Sequence, residues 1–416
     1  MGDIRWAGTR GLCGSRFSSP GAANESSAPV KIQSVTPLTF NPEVYYGRGS
    51  FNYCYVRIET DNGLVGYGEC SLMPGSVAGA VETIGDYLIG RDARRVEQVW
   101  SSMYYMWHNV RGGVVYMSAM SGIDIALWDI KAKAAGLPIY EMLGGPMRTR
   151  LRCYRGISGA DTDELVQSAT DAVADGWTAM KFDPLSTAGY YLSPAQFEEA
   201  VAKVGAVRTA VGPDVDIMVE THGRLSLGMI RKLAEGIAEF NPMFLEEPCG
   251  PEYTSAMEKL SQETTVPLAT GERLYTRWGF RELFEREAVS YAQPDIGHSG
   301  GISELRKIAS MAEAYGIAVA PHNPFSVLNF VASAQVDASI PNFLIQESGN
   351  FAIEGVLKEP VRIVDGHYDL PTGPGLGVEP DEDFIAAHPP RPVEPERWRE
   401  QSMGRPYTFA GGDDGL

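Results

Sequence analysis

Between residues 150 and 350, short apolar runs recur at a near-constant spacing, and the segments between them carry helix signals. The runs end at Ile157, Phe182, Val219, Leu245, Ala269, Ala292, Val319 and Ile345. Asp161 and Glu164 form a capping box ahead of Leu165, Ala169 and Val173, with Gly176 as the stop. Ser193 and Pro194 supply an N-cap and first-turn pair before Phe197, Val201, Val204 and Val211, and Gly212 ends that helix. Ser303 opens a further helix that Gly316 closes. Eight strands alternating with helices predict an α/β chain closed into a TIM-type (β/α)8 barrel. A doubly wound open sheet shares this alternation, but no GxGxxG follows the first strand.

Each run from the second onward carries, at or just past its end, a polar residue able to do chemistry. In order these are Lys181, Glu220, Glu246, Glu272, Asp295, His322 and Glu347, at intervals of 39, 26, 26, 23, 27 and 25 residues. One β/α unit occupies about that length, so all seven belong at the C-terminal mouth of the barrel. One carboxylate after a strand is ordinarily a helix cap or a solvated charge; seven such positions in consecutive units resist that explanation. Glu220, Glu246 and Glu272 come from adjacent strands, and converging carboxylates resist ionising unless a cation sits among them. An all-oxygen site with few protein ligands favours Mg2+ over zinc or calcium.

The rest of the chain sets limits. Residues 30–70 read as strands, with Asp61-Asn62-Gly63 turning 53–60 back into 64–67, and residues 77–136 read as helices, with Ile123, Leu127, Ile130 and Ala134 on one face. Strands and helices in separate blocks suggest an α+β domain. The net charge of −18 argues against a nucleic-acid partner. No apolar run is long enough for a membrane span. Five scattered cysteines contain no CxxC pair, which fits a reduced, cytoplasmic setting. Four segments result: a disordered tail at 1–29, an α+β cap at 30–148, the barrel at 149–370, and a C-terminal return segment and tail at 371–416. That last stretch, rich in Pro, Gly and acid, reads equally as a solvated tail or as a segment docked on the cap.

Several of these motifs resemble the enolase superfamily, in its mandelate racemase/muconate lactonizing enzyme branch, and there the galactonate-dehydratase-like acid-sugar dehydratases. Arg111-Gly112-Gly113, Ser118-Ala119-Met120-Ser121-Gly122-Ile123-Asp124, Ala126-Leu127-Trp128-Asp129, Leu143-Gly144-Gly145 and Pro374-Gly375-Leu376-Gly377 carry the likeness outside the barrel. It covers about residues 30–380 and implies a (β/α)7β barrel under an N-terminal α+β capping domain. Loops near 45–50 and 71–77 would cover the substrate.

Carried over residue by residue, the resemblance makes Glu246 and Glu272 metal ligands, with Glu220 at the position where the family usually has Asp. Asp295 and His322 resemble its Asp–His dyad, in which a carboxylate on one ring nitrogen orients the base. His222, two residues past Glu220, stands where these dehydratases keep the acid that protonates the departing hydroxyl; period-two alternation along the strand would turn it toward the mouth. Lys181 matches the first Lys of a Lys-x-Lys found in racemising members, whose second Lys is Asp183 here. Asp183 would bind a substrate hydroxyl or cap the turn at Pro184. Glu347 would face the substrate carboxylate, and Arg273 would pair either with that carboxylate or with a surface acid. His298 would shape a loop, and His108 has no readable role.

The resulting expectation is a Mg2+-dependent dehydratase that turns an aldonate-type sugar acid, through α-proton abstraction and an enediolate, into a 2-keto-3-deoxy acid. A racemase, epimerase or cycloisomerase would use the same enediolate without losing water. A sugar-acid binder or sensor would need no turnover. Specificity would rest on capping-loop residues such as Tyr45, Tyr46, Arg48 and Met73, and homo-oligomers are expected by analogy.

Overall fold

The computed structural model describes residues 28–42, 51–106, 109, 111–185, 189–324, 326–349 and 355–392. The tail through residue 27, the loop at 45–50 with Tyr45, Tyr46 and Arg48, His108 and the chain beyond 392 lie outside these residues. Strands β1 (Ile32–Phe40), β2 (Tyr53–Thr60) and β3 (Val65–Cys70) form an antiparallel meander. Helices α1 (Pro74–Leu88), α2 (Val96–Tyr105), α3 (Val114–Ala135) and α4 (Ile139–Met142) follow. Helix α3 crosses β3 so closely that a Cβ on Gly68 would stand 2.0 Å from the carbonyl oxygen of Gly122. Only glycine permits that approach.

The sequence predicts one apolar face on α3, but the helix is buried nearly all round. The meander covers one side and the barrel the other, so its polar residues find long-range partners. Asp124 accepts the backbone N–H of Ser303 at 2.9 Å and its hydroxyl at 2.6 Å. Asp129 accepts the backbone N–H groups of Tyr67 at 3.0 Å and Leu376 at 2.8 Å.

The barrel runs through β4 (Arg150–Gly156), α5 (Thr162–Ala174), β5 (Ala179–Phe182), α6 (Pro194–Val211), β6 (Asp216–Glu220), α7 (Leu227–Ile237), β7 (Phe244–Glu246) and α8 (Thr254–Glu263). It continues through β8 (Leu268–Thr270), α9 (Thr276–Glu285), β9 (Tyr291–Ala292), the short α10 (Ile296–Ser299), α11 (Gly301–Ala314), β10 (Ala318–Val319), α12 (Val327–Asp337) and β11 (Gln346–Ser348). From β4 to β10 each strand pairs parallel with the next, and β11 pairs parallel with β4. Two backbone bonds of 2.8 Å, from Val319 N–H to Asn342 and from Leu344 N–H to Val319, close the ring. After β11 the chain passes to β12 (His367–Asp369), antiparallel to β4. This is the (β/α)7β form, one helix short of what alternation alone predicts.

The capping boxes at Asp161 and Ser193 lie where the sequence places them. Ser303 does not open α11: the helix starts at Gly301, and the Ser303 hydroxyl is spent on Asp124. The C-terminal segment docks on the cap as far as it is described. Helix α13 (Glu382–Ala387) places Glu382 against the Tyr67 hydroxyl and 2.9 Å from Arg57 Nε. Cys54, Cys70, Cys153 and Cys249 are buried free thiols. Among the described residues no helix is long and apolar enough to cross a membrane.

One buried carboxyl is only weakly compensated, by the charge of Arg148. Among the described residues, both carboxylate oxygens of Asp337, at the end of α12, are buried without a hydrogen-bond partner, and burial pushes this carboxyl well above its ordinary range. Protonated Asp337 is neutral, so its contribution to stability is full below the ordinary carboxylate range and is lost as pH rises toward the raised value. Asp337→Asn is therefore expected to raise the melting temperature at pH 8, by on the order of 1 kcal/mol in stability, with little gain at pH 4. Melting curves of both proteins across that range check it; an equal shift at every pH contradicts it.

Candidate active site

Strand geometry puts the acidic residues in one place. Along β6, Met218 packs into the barrel interior with Tyr154, Phe244 and Ala269. Glu220, two residues on, points to the same side. Glu220 and Glu246 are direct partners in the β6–β7 register. Glu272 follows β8 by two residues. One oxygen from each of the three carboxylates lies within 4.8 Å of the others.

Glu220 and Glu246 are buried, Glu272 keeps 15% side-chain exposure, and each carries a different tether. Glu220 Oε1 accepts the backbone N–H of His222 at 2.5 Å, which draws the longer side chain back against its own turn. Its Oε2 is buried without a hydrogen-bond partner among the described residues, with Lys181 Nζ 3.7 Å away. Glu246 Oε1 meets Lys181 Nζ at 2.5 Å, and Oε2 accepts from Gln293 Nε2 at 2.7 Å. Glu272 Oε2 stands 3.3 Å from His322 Nε2. Burial pushes Glu220 and Glu272 up to about 7; Glu247 adds to the rise at both, as do Glu272 at Glu220 and Glu246 at Glu272, while Lys181 opposes it at both and His322 at Glu272. Glu246 is raised well above its ordinary range for the same reason. A buried, all-oxygen cluster with one orphaned carboxylate oxygen is the donor set of a hard divalent cation, and these residues fit one.

Beside Glu272 stands an imidazole–carboxylate pair. His322 Nδ1 is 2.8 Å from Asp295 Oδ2, and Asp295 Oδ1 accepts the N–H of Gly297 at 2.8 Å. Burial works against a charged imidazole, yet Glu272, Glu347 and Asp295 together lift His322 to about 10. Asp295 is held low despite its burial, by His298, His322 and the Gly297 N–H. His298 bonds through Nε2 to the carbonyl of Glu272 and keeps Nδ1 3.4 Å from Asp295. Glu347 accepts the N–H of Asn323 at 2.8 Å and meets Lys181 Nζ at 2.9 Å. Burial would raise it, but Lys181 and His322 hold it low.

At the other end of the triad, β6 stops at Glu220, so strand alternation does not carry as far as His222. The residue enters by a left-handed turn, at φ 50°. His222 Nδ1 lies 3.4 Å from Asp183 Oδ2, and Arg224 Nη2 bonds to the same oxygen. The ring therefore sits at ion-pair distance from Asp183 without a well-formed hydrogen bond in this geometry.

Arg273 lies against Glu247, a buried residue that also accepts the Thr270 hydroxyl. Glu247, Gln293 and Arg224 are partners that reading the strand ends passed over. The adjacent Glu246-Glu247 pair was the available signal: two neighbouring carboxylates at a buried strand end repel each other, so the second needs its own cation. Met73 is exposed at the start of α1, at φ 47°.

Known proteins share both halves of this arrangement. Residues 44–144 match the mandelate racemase/muconate lactonizing enzyme N-terminal domain, and residues 164–384 match the enolase C-terminal domain-like family. The chain belongs to the mandelate racemase/muconate lactonizing enzyme family. Within that family, a D-galactonate dehydratase of Variovorax paradoxus (strain S110) is 38% identical over 359 residues, spanning 83% of this chain and 93% of that one. A solved mandelate racemase/muconate lactonizing enzyme from Sulfitobacter sp. superposes with a TM-score of 0.83 at 31% identity, covering 88% of this chain and 97% of the other. The 3,6-anhydro-D-galactonate cycloisomerase from Zobellia galactanivorans superposes with a TM-score of 0.79 at 28% identity, over 87% of this chain and all of that one (100%).

Proposed function

We propose that the protein is a Mg2+-dependent hydro-lyase that converts an aldonate, of the D-galactonate type, into its 2-keto-3-deoxy acid. The observation that carries this reading is a pair of imidazoles, each next to a carboxylate, bordering opposite ends of one buried acidic triad. His322 adjoins Glu272 on the β8 side, and His222 adjoins Glu220 on the β6 side. Dehydration needs a base and an acid in that relation to one carbon–carbon bond.

Glu220, Glu246 and Glu272 would hold Mg2+, which when bound supplies a Lewis acid for the charge that develops on the substrate carboxylate. Donating its Nδ1–H to Asp295, neutral His322 would present the Nε2 lone pair to the α-hydrogen, and a cation held by Glu272 would oppose the rise that the neighbouring carboxylates impose on this imidazole. Breaking that C2–H bond leaves the electron pair as an enediolate. Its collapse expels the 3-hydroxyl, which takes a proton from His222 and departs as water. The resulting enol loses its O–H proton as C3 takes one from solvent, and so becomes the 2-keto acid. Lys181, already beside Glu347, offers a buried ammonium for the substrate carboxylate. Arg273 is less available, because Glu247 holds it. Racemisation would ask Asp183 to serve as a second base, and Arg224 already holds that carboxylate.

Incubation with a panel of aldonates that includes D-galactonate, with and without Mg2+, tests the reading. The expected result is a Mg2+-dependent 2-keto acid from at least one member. An epimer or lactone without keto acid would favour the isomerase reading. Thermal stabilisation by a panel member with no product at all would favour a binder.

A further inference from the structure

Asp183 is held in a way that substrate binding does not explain. It lies one residue past β5, and its two oxygens are both engaged. Oδ1 accepts the backbone N–H of Leu185 at 2.9 Å, which fixes the side-chain torsions. Oδ2 is left facing Arg224 Nη2 and, at 3.4 Å, Nδ1 of His222. No oxygen remains wholly free for a sugar hydroxyl.

The turn that bears His222 is built with equal care. His222 at φ 50° and Gly223 at φ 62° are consecutive left-handed residues. For a non-glycine residue that conformation carries strain which the surroundings must hold in place. They do so through the backbone: His222 N–H goes to Glu220, Gly223 N–H to the Glu247 carbonyl at 2.6 Å, and Arg224 returns to the Thr221 carbonyl through its N–H at 3.2 Å and its Nε at 3.0 Å. The backbone of His222 is thus fixed, while its ring makes no hydrogen bond among the described residues. Two carboxylates stand beside Nδ1, Asp183 Oδ2 at 3.4 Å and Glu220 Oε1 at 3.8 Å; Glu220 Oε1 already accepts the His222 backbone N–H, so Asp183 is the nearer partner for the ring, and Nε2 is left for another group.

We infer that Asp183 is a positioning residue for His222. It orients the imidazole through Nδ1 so that Nε2 delivers its proton to the leaving hydroxyl, and Arg224 holds Asp183 in place for that task. The mouth then contains two carboxylate–imidazole pairs of one design, Asp295–His322 for the base and Asp183–His222 for the acid. This inference rests on the dehydratase reading given above.

The test uses the full chain with Mg2+ and D-galactonate, or the panel aldonate that turns over, in deuterated water, and follows dehydration and α-hydrogen exchange together. Asp183→Asn is expected to slow dehydration by on the order of 10- to 100-fold, the usual cost of removing the partner that orients a functional histidine, while exchange falls far less. A merely structural role would depress both alike. In the double variant Asp183→Asn/His222→Asn, dehydration should be no slower than in His222→Asn alone, because Asp183 acts through that ring. Asp183→Glu keeps the charge one methylene further out and should retain more dehydration than Asp183→Asn. Unimpaired dehydration in Asp183→Asn, equal losses in both readouts, additive losses in the double variant, or parity of the Glu and Asn variants would each overturn the inference while leaving the dehydratase reading intact. Unimpaired dehydration in His222→Asn would instead overturn the acid assignment, and the inference with it.

Discussion

His322→Asn should abolish both dehydration and α-hydrogen exchange of a turned-over aldonate in deuterated water, whereas His222→Asn should sharply slow dehydration and spare exchange. Asn preserves part of the ring's outline but cannot accept the proton, so no enediolate forms without His322. That imidazole is tied at Nδ1 to Asp295 at 2.8 Å, and its side chain keeps 14% exposure, which lets the abstracted proton trade with solvent. Removing His222 leaves this pair and the triad in place. The enediolate then forms and collapses back, and dehydration falls by about 10²–10⁴-fold, the range for losing a general acid. Exchange that survives in the His322 variant would move the base elsewhere.

The metal ligands should show the other large effect. Glu246→Gln and Glu272→Gln are each expected to lower turnover by at least about 10³-fold and to weaken Mg2+ binding measured by calorimetry, because a neutral amide withdraws a full charge from a hard cation. Glu246 is the more exposed to this argument. It stands between its two fellow carboxylates, and Lys181 and Gln293 already compete for its oxygens at 2.5 and 2.7 Å. Glu220→Ala should weaken Mg2+ binding as well, and it also removes the anchor of the His222 N–H. Mg2+ affinity unchanged in Glu220→Ala would mean that this carboxylate is no ligand and that the triad has to be redrawn.

What the sequence made legible follows from how a barrel is built. A polar residue at or just past the end of an apolar strand run is carried to the mouth whatever its neighbours do, so Lys181, Glu220, Glu246, Glu272, Asp295, His322 and Glu347 could all be placed from spacing. Features set by distant partners were not legible. Ser303 reads as a helix opener because nothing local reveals Asp124, 179 residues earlier, as the owner of its hydroxyl. The docking of the C-terminal segment depends on Glu382 meeting Arg57, 325 residues away. His222 reaches the mouth by a left-handed turn, which a strand pattern does not encode. The pairings of Arg273 with Glu247 and of Asp183 with Arg224 join different β/α loops, and only the closed ring brings those loops together.

Proton NMR of D-galactonate with the metal-stripped protein in deuterated water, before and after Mg2+ is added, tests the central claim most directly. The account predicts no change before addition. Afterwards a 2-keto-3-deoxy acid should accumulate with one deuterium at C3, the carbon that receives a solvent proton when the enol becomes the ketone. Keto acid formed without any divalent cation, or an epimer formed in its place, would contradict it.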